Sequence, residues 1–216
     1  MKQYKISEEV LNRCIKKMVA IGSSSRADFR LPLATSQAQS LITSAYQMLT
    51  QLRGYEFKQD ADTTSHIAKL ALTLTTDNPK QGILLCGGVG SGKTTLMIAL
   101  QKAINILNEL THVQPLAITT AKDIASSEQY YHKYLERIEP LGIDDLGNEP
   151  SEVHRWGNIT SPIADIVERR YALRLFTIIT TNLTLDQIKE HYGERIGDRL
   201  IEMCEVIEFT NESYRI

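Results

Sequence analysis

An α/β fold, a parallel sheet with helices on both faces, is predicted for residues 58–216 by three observations. Short apolar runs alternate with helical stretches, a glycine-rich turn joins one run to a long helix, and two adjacent acids close another run. The 42% apolar and 23% charged residues of this 216-residue chain suit a folded globular protein with a real core.

Residues 1–57 read as a small helical unit. Ser7 caps a helix in which Val10, Leu11, Cys14, Ile15, Met18 and Val19 recur at helical spacing, and Gly22 stops it. The polar stretch 22–30 and Pro32 break that pattern. A second helix then carries Leu41, Ile42, Ala45, Met48, Leu49 and Leu52 on one face and ends at Gly54. Two short amphipathic helices bury little alone, so their stripes must dock on the rest of the chain, on a second copy or on a partner. Both a structural appendage and a partner-binding module fit, and the basic lean of residues 1–30 suits a groove on another protein.

A third helix is expected over 64–75, followed by the turn Asp77-Asn78-Pro79. The rhythm then changes. Strands are expected at 83–86, 115–119, 141–144, 176–181 and 206–209, with helices at 93–110, 124–137 and 163–173 between them.

No apolar run reaches the eighteen or so residues of a membrane span, so no membrane association is expected and a cytoplasmic location is. Cys14, Cys86 and Cys204 are too scattered for a disulfide framework or a zinc cluster and are expected as buried thiols. A net charge of −2 supplies no global pull toward nucleic acid, so any DNA contact must come from a local patch.

Gly87-Gly88-Val89-Gly90-Ser91-Gly92-Lys93-Thr94 meets the pattern G-x-x-x-x-G-K-[ST], and it lies between a predicted strand and a predicted helix, the context this phosphate-binding loop requires. Its glycines let backbone N–H groups turn toward phosphates, and the positive end of the helix, where Thr95 also sits, faces the same anions. Lys93 is expected to reach the β- and γ-phosphates of ATP, and the Thr94 hydroxyl to bind Mg²⁺.

About fifty residues on, Asp144 and Asp145 end an apolar strand at the edge where open parallel sheets bind ligands. Asp144 is expected to hold Mg²⁺, directly or through water, and Asp145 to polarise the attacking water. The next strand delivers Asn182 to the same edge, where an amide can position that water and sense the γ-phosphate. Each of these side chains could also serve only a turn or a cap; the loop upstream favours the catalytic reading.

As a set, the glycine-rich loop, Leu141-Gly142-Ile143-Asp144-Asp145-Leu146-Gly147, Val167-Glu168-Arg169-Arg170, Thr180-Thr181-Asn182-Leu183 and the stretch from Gly193 to Leu200 resemble AAA+ ATPases of the DnaC-like helicase-loader group and the IstB-like transposition helpers. The terminal Ser213-Tyr214-Arg215 looks like the loader ending. The resemblance covers residues 65–216. It implies a three-layer P-loop NTPase of the AAA+/ASCE type with strand order 5-1-4-3-2, and an arginine finger reaching a neighbouring subunit's ATP in a homo-oligomer. Arg199 is the first choice and Arg195 the second; the alternative is that both lie on a helix flank, paired with Glu194 and Asp198. With seven residues after Phe209, the helical lid of typical AAA+ proteins is not expected.

For single-stranded DNA the best patch is 122–137, where Tyr130, Tyr131 and Tyr134 interleave with Lys133 and Arg137, although tyrosines at that spacing also pack a helix onto a sheet. Arg155-Trp156 is a second patch. The function these features imply is an ATP-hydrolysing loader of the replicative DNA helicase. A transposition helper that recruits a transposase, a nucleotide-switched adaptor with incidental hydrolysis, and a small-molecule kinase are the competitors; Asn182 and the stretch around Arg199 speak against the last.

Overall fold

The computed structural model describes residues 29–57, 60–77, 80–155, 158–211, 213 and 214, together with the isolated positions Glu8, Asn12, Arg13 and Lys16. The helix expected between Ser7 and Gly22 therefore lies mostly outside the described residues, as do Cys14 and Trp156.

Five parallel strands form the sheet: β1 (Gly82–Gly87), β2 (Ala117–Thr120), β3 (Leu141–Leu146), β6 (Thr177–Thr181) and β7 (Cys204–Phe209). Their order is β2-β3-β6-β1-β7, which, counting only these five strands, is the expected 5-1-4-3-2. β1 lies between β6 and β7, and Ile83, Leu84 and Leu85 are wholly buried, as the unbroken apolar run of a central parallel strand requires.

The period-2 alternation of β1 and β6 divides the core. Ile83, Leu85 and Ile178 point into one layer, and Leu84 and Ile179 into the other. The first layer is covered by α1 (Thr35–Leu52), α2 (Ala61–Thr75) and α3 (Lys93–Leu110). The second is covered by α4 (Ala121–Ser126), α5 (Glu128–Glu136), α6 (Pro162–Ala172), α7 (Leu185–Tyr192) and α8 (Glu194–Met203). A short antiparallel hairpin, β4 (Val153–Arg155) with β5 (Asn158–Thr160), lies between β3 and α6 in the chain.

Of the three destinations open to the second amphipathic stripe, α1 takes the first. Ala38, Ile42, Ala45, Tyr46 and Leu49 pack into the same core as Leu96, Met97 and Leu100 of α3. α1 closes at Arg53, and Gly54, at φ +77°, turns the chain away in the left-handed conformation that glycine tolerates best.

The expected strand bounds move by one or two residues, and two helices change more. The helix expected over 124–137 is two helices, because Ser127 is extended (φ −134°, ψ 130°) and Thr120 caps α4 by accepting the Asp123 N–H at 2.9 Å. The helix expected from residue 64 begins at Ala61, because the Asp60 side chain accepts from Thr63 N at 2.7 Å. α7, α8 and the hairpin add elements that the strand–helix rhythm did not resolve.

Candidate nucleotide site

At the C-terminal edge of the sheet, a cavity of about 1150 Å³ is walled by residues 89–95, Asp144, Asp145, Asn148 and Asn182, with Tyr46, Arg53, Glu56, Thr63 and Tyr214 on its further side. The expected loop, both acids and the amide are therefore brought together. Gly87 approaches Phe209 of β7 so closely that a Cβ would overlap its carbonyl oxygen. Gly92, at φ +101°, sets the start of α3.

Lys93 is buried and extends its ammonium along the loop to the end of β6. It donates to Gly87 O and Gly88 O at 2.7 Å and to Asn182 Oδ1 at 3.0 Å. One cation thus ties the loop to the residue expected to sense the terminal phosphate. The Thr94 hydroxyl donates to Asp144 Oδ1 at 2.9 Å, which joins the start of α3 to the end of β3. A hydroxyl and a carboxylate side by side are hard oxygen donors that fit Mg²⁺, an ion usually held by one or two carboxylates plus phosphate oxygens. The N–H groups that open α3 fit the phosphates themselves.

Asp145 owes its place to a bulge. The register of β3 on β6 shifts between Ile143 and Leu146, and Asp145 takes φ +56°, a left-handed conformation that Asp and Asn adopt more readily than most residues. Thr180 of β6 braces both acids: it accepts the Asp145 N–H at 2.9 Å and donates to Asp144 Oδ1 at 2.5 Å. The sequence marks Thr180 only as part of the Thr-Thr-Asn run. Alternation along the strand carries the signal, since Thr180 and Asn182 share a face while Thr181 turns away to donate to Leu146 O at 2.8 Å.

Behind Asp145, buried Glu149 accepts from Gly147 N at 3.1 Å and from the Tyr192 hydroxyl at the end of α7. Burial, and then the Glu149 carboxylate, push the Tyr192 pKa well above that of a free phenol. The loop after β3 is therefore pinned to the helix pair α7–α8.

The end of the described chain folds back on the loop. Tyr214 N donates to Gly90 O at 3.0 Å and Asn211 Nδ2 to Ser91 O at 3.2 Å. The Tyr214 hydroxyl donates to Asp60 Oδ2 at 2.7 Å and lies 3.1 Å from Thr63 Oγ1. Burial works to raise the Asp60 carboxyl, but the Thr63 N–H and the Tyr214 hydroxyl outweigh it and hold its pKa below the usual value.

Arg195 and Arg199 do not line this cavity. Both lie on α8 and meet Glu168 of α6, at 2.6 Å and 2.7 Å, and Arg199 also sits over the Tyr171 ring. Glu194 and Asp198, their expected partners, go instead to Lys189 at 3.1 Å and 2.7 Å. The reason is helical geometry: residues one apart diverge by about 100° and do not face each other.

In the 122–137 stretch, Tyr134 is buried and the Tyr131 hydroxyl donates to Asp165 Oδ2 at 2.9 Å, so these two pack. Tyr130 stays exposed, and Lys133 lies over both the Tyr130 and Tyr134 rings. Arg137 donates to Pro140 O at 3.4 Å. Cys86 and Cys204 are buried, and burial pushes the Cys204 thiol up to about 12.

No curated protein sequence matches the chain significantly. Among solved structures it is similar to the DnaC helicase loader, with 23% identity over 71% of this chain and 93% of that one and a TM-score of 0.56. It is also similar to DnaI, with 18% identity over 78% and 93% and a TM-score of 0.55. AMPPCP-bound DnaA from Aquifex aeolicus matches at 18% identity over 71% of this chain and 48% of that one, with a TM-score of 0.51. At these identities the likeness establishes the fold, a P-loop sheet of the AAA+ type. A family model described as IstB-like ATP binding protein matches residues 28–216. With that match over most of its length, the chain belongs to the IstB-like ATP-binding protein family.

Proposed function

We propose that this protein hydrolyses ATP in an oligomer assembled on single-stranded DNA and loads the replicative DNA helicase. The observation that supports the ATPase reading is the double tie across the cleft, Lys93 to Asn182 and Thr94 to Asp144, around one cavity whose residues are the ones proposed to bind phosphate, hold metal and position water. Mg²⁺, held by Thr94 and Asp144, would neutralise charge on the β- and γ-phosphates. Lys93 exchanges loop carbonyls for phosphate oxygens, its three donors suiting either set. Asp145 accepts the proton of the attacking water, and the Asn182 amide orients that water.

Arg199, or Arg195, completes a neighbour's site by leaving Glu168 for the phosphate there. A finger is worth about 10³ to 10⁵ in rate, or roughly 4 to 7 kcal/mol of barrier, so an isolated subunit hydrolyses slowly. Mixing Lys93→Ala with Arg199→Ala subunits is expected to restore activity that neither has alone, by pairing an intact pocket with an intact arginine. A steady-state phosphate-release assay reads this; no recovery with Arg199→Ala or Arg195→Ala sinks the assignment. Exposed Tyr130 with Lys133 is the proposed single-strand contact, a ring for a base beside a cation for a phosphate.

The helicase assignment rests on the set of motifs shared with the loader group. The IstB-like family match favours a second reading, a transposition helper that recruits a transposase. Co-purification separates them. A helicase contact that responds to exchanging ATP for ADP is the expected result, and a chain that retains transposase but no helicase is the second reading. The partner-binding surface is proposed to lie within residues 1–57, where Ile42, Ala45 and Leu49 of α1 pack into the core while Met48 and Leu52 of the same stripe stay exposed.

A further inference from the structure

We propose that Arg53 is a nucleotide-binding residue, gripping the α-phosphate of the bound nucleotide from the same subunit; this rests on the ATP-binding reading of the cavity. Arg53 is the C-cap of α1, a helix far from the loop in sequence, yet its Nη1 donates to Thr95 Oγ1 in the first turn of α3 at 2.7 Å. The guanidinium is exposed and lines the cavity.

Its position along the phosphate chain follows from its neighbours. Lys93 and Thr94 are directed to the ends of β6 and β3, through Asn182 and Asp144, which fixes the β/γ and metal side of the cleft. Thr95 is one residue further round α3, about 100° away, and faces α1. A triphosphate whose terminal end lies at Lys93 therefore presents its α-phosphate to Thr95 and Arg53.

Charge makes the same demand. Among the described residues that line the cavity, Lys93 and Arg53 are the basic ones against Glu56, Asp144 and Asp145, so Arg53 supplies half of the side-chain positive charge that faces a polyanion. With one donor on Thr95, the guanidinium keeps four for phosphate oxygens, and charge-assisted bonds of this kind are the strong ones.

Because ADP and ATP share the α-phosphate, Arg53→Gln is expected to weaken both equally. Fluorescence titration of the full chain with ADP and with AMPPNP should show about a tenfold loss for each. kcat/KM for ATP should fall by a similar factor, the loss residing in KM, with the melting temperature in the absence of nucleotide unchanged. Unaltered affinity for both nucleotides overturns the proposal, as does a loss confined to AMPPNP, which would place Arg53 at the γ-phosphate. If Arg53→Gln melts early, Arg53→Lys carries the test: it keeps the charge and loses the fork, so an intermediate loss supports the proposal and wild-type affinity overturns it. Lys93→Ala serves as the second arm. If it too leaves ADP affinity unchanged, the nucleotide reading of the cavity fails; if it weakens binding while Arg53→Gln does not, only the role of Arg53 fails.

Discussion

Replacing Arg170 by leucine is expected to lower the unfolding free energy by about 3 to 5 kcal/mol, since several buried acceptors lose a charged donor worth roughly 1.5 to 3 kcal/mol each and part of that loss is relieved by relaxation. Arg170, from the Val-Glu-Arg-Arg stretch of α6, is 1% exposed. Its Nε donates to Thr177 Oγ1 at 2.7 Å, Nη1 to Arg137 O at 3.0 Å, and Nη2 to Glu139 O at 3.0 Å and Phe176 O at 2.6 Å. One guanidinium thus satisfies carbonyls of the segments that enter β3 and β6, the strands that deliver Asp144, Asp145 and Asn182. Leucine would remove the charged donor from the Arg137 and Glu139 carbonyls, leave Phe176 O with the Leu141 N–H, and fill less of the space. Lysine keeps the charge but cannot reproduce the planar fork, so Arg170→Lys should recover only part of the loss. Urea unfolding measures the difference, and a melting temperature lowered by on the order of 10 °C should accompany it. A loss below about 1 kcal/mol would mean that water replaces the guanidinium and that the clamp is dispensable.

Asp145→Asn is expected to lower kcat for ATP by about 10² to 10⁴, the usual worth of a positioned general base, while nucleotide binding persists. The geometry makes this substitution informative. Asp145 is held by its backbone, through its N–H to Thr180, and its φ of +56° suits asparagine as well as aspartate. Replacing one carboxylate oxygen by an amide nitrogen therefore removes basicity without disturbing the turn. Lys93→Ala should act on the other quantity and abolish most phosphate-dependent affinity. Paired measurements of binding and single-turnover hydrolysis separate the two roles. If Asp145→Asn also retains every partner contact and full biological activity, turnover is incidental and the protein is a nucleotide-switched adaptor.

Much of the site was legible because its residues are local to motifs that create their own geometry. Residues 93–110 read as a helix with the observed bounds: Gly92 can adopt φ +101° and Thr111 is extended. Asp144, Asp145 and Asn182 were placed at one edge because parallel strands of an open sheet end together. What stayed hidden depended on contacts across the fold. Arg53 lies 42 residues from Thr95, and only the docking of α1 on α3 brings them together. Strand order came from family resemblance, since period-2 patterning says which face a residue takes but not which strand lies beside it. Pairing the arginines of α8 with their sequence neighbours failed because adjacency along a helix is not adjacency in space; Glu168 reaches both from another helix.

The contact of Tyr214 with Gly90, Asp60 and Thr63 bears on how the protein is made. The phosphate-binding loop is complete once residue 95 has been synthesised, yet its walls arrive with residues 144, 182 and 214. Long-range closures of this kind form late, because the entropy of the intervening chain must be lost before the contact repays it. A nascent chain therefore completes the walls of this cleft only after residue 214 has been made, when all five strands of the sheet are available.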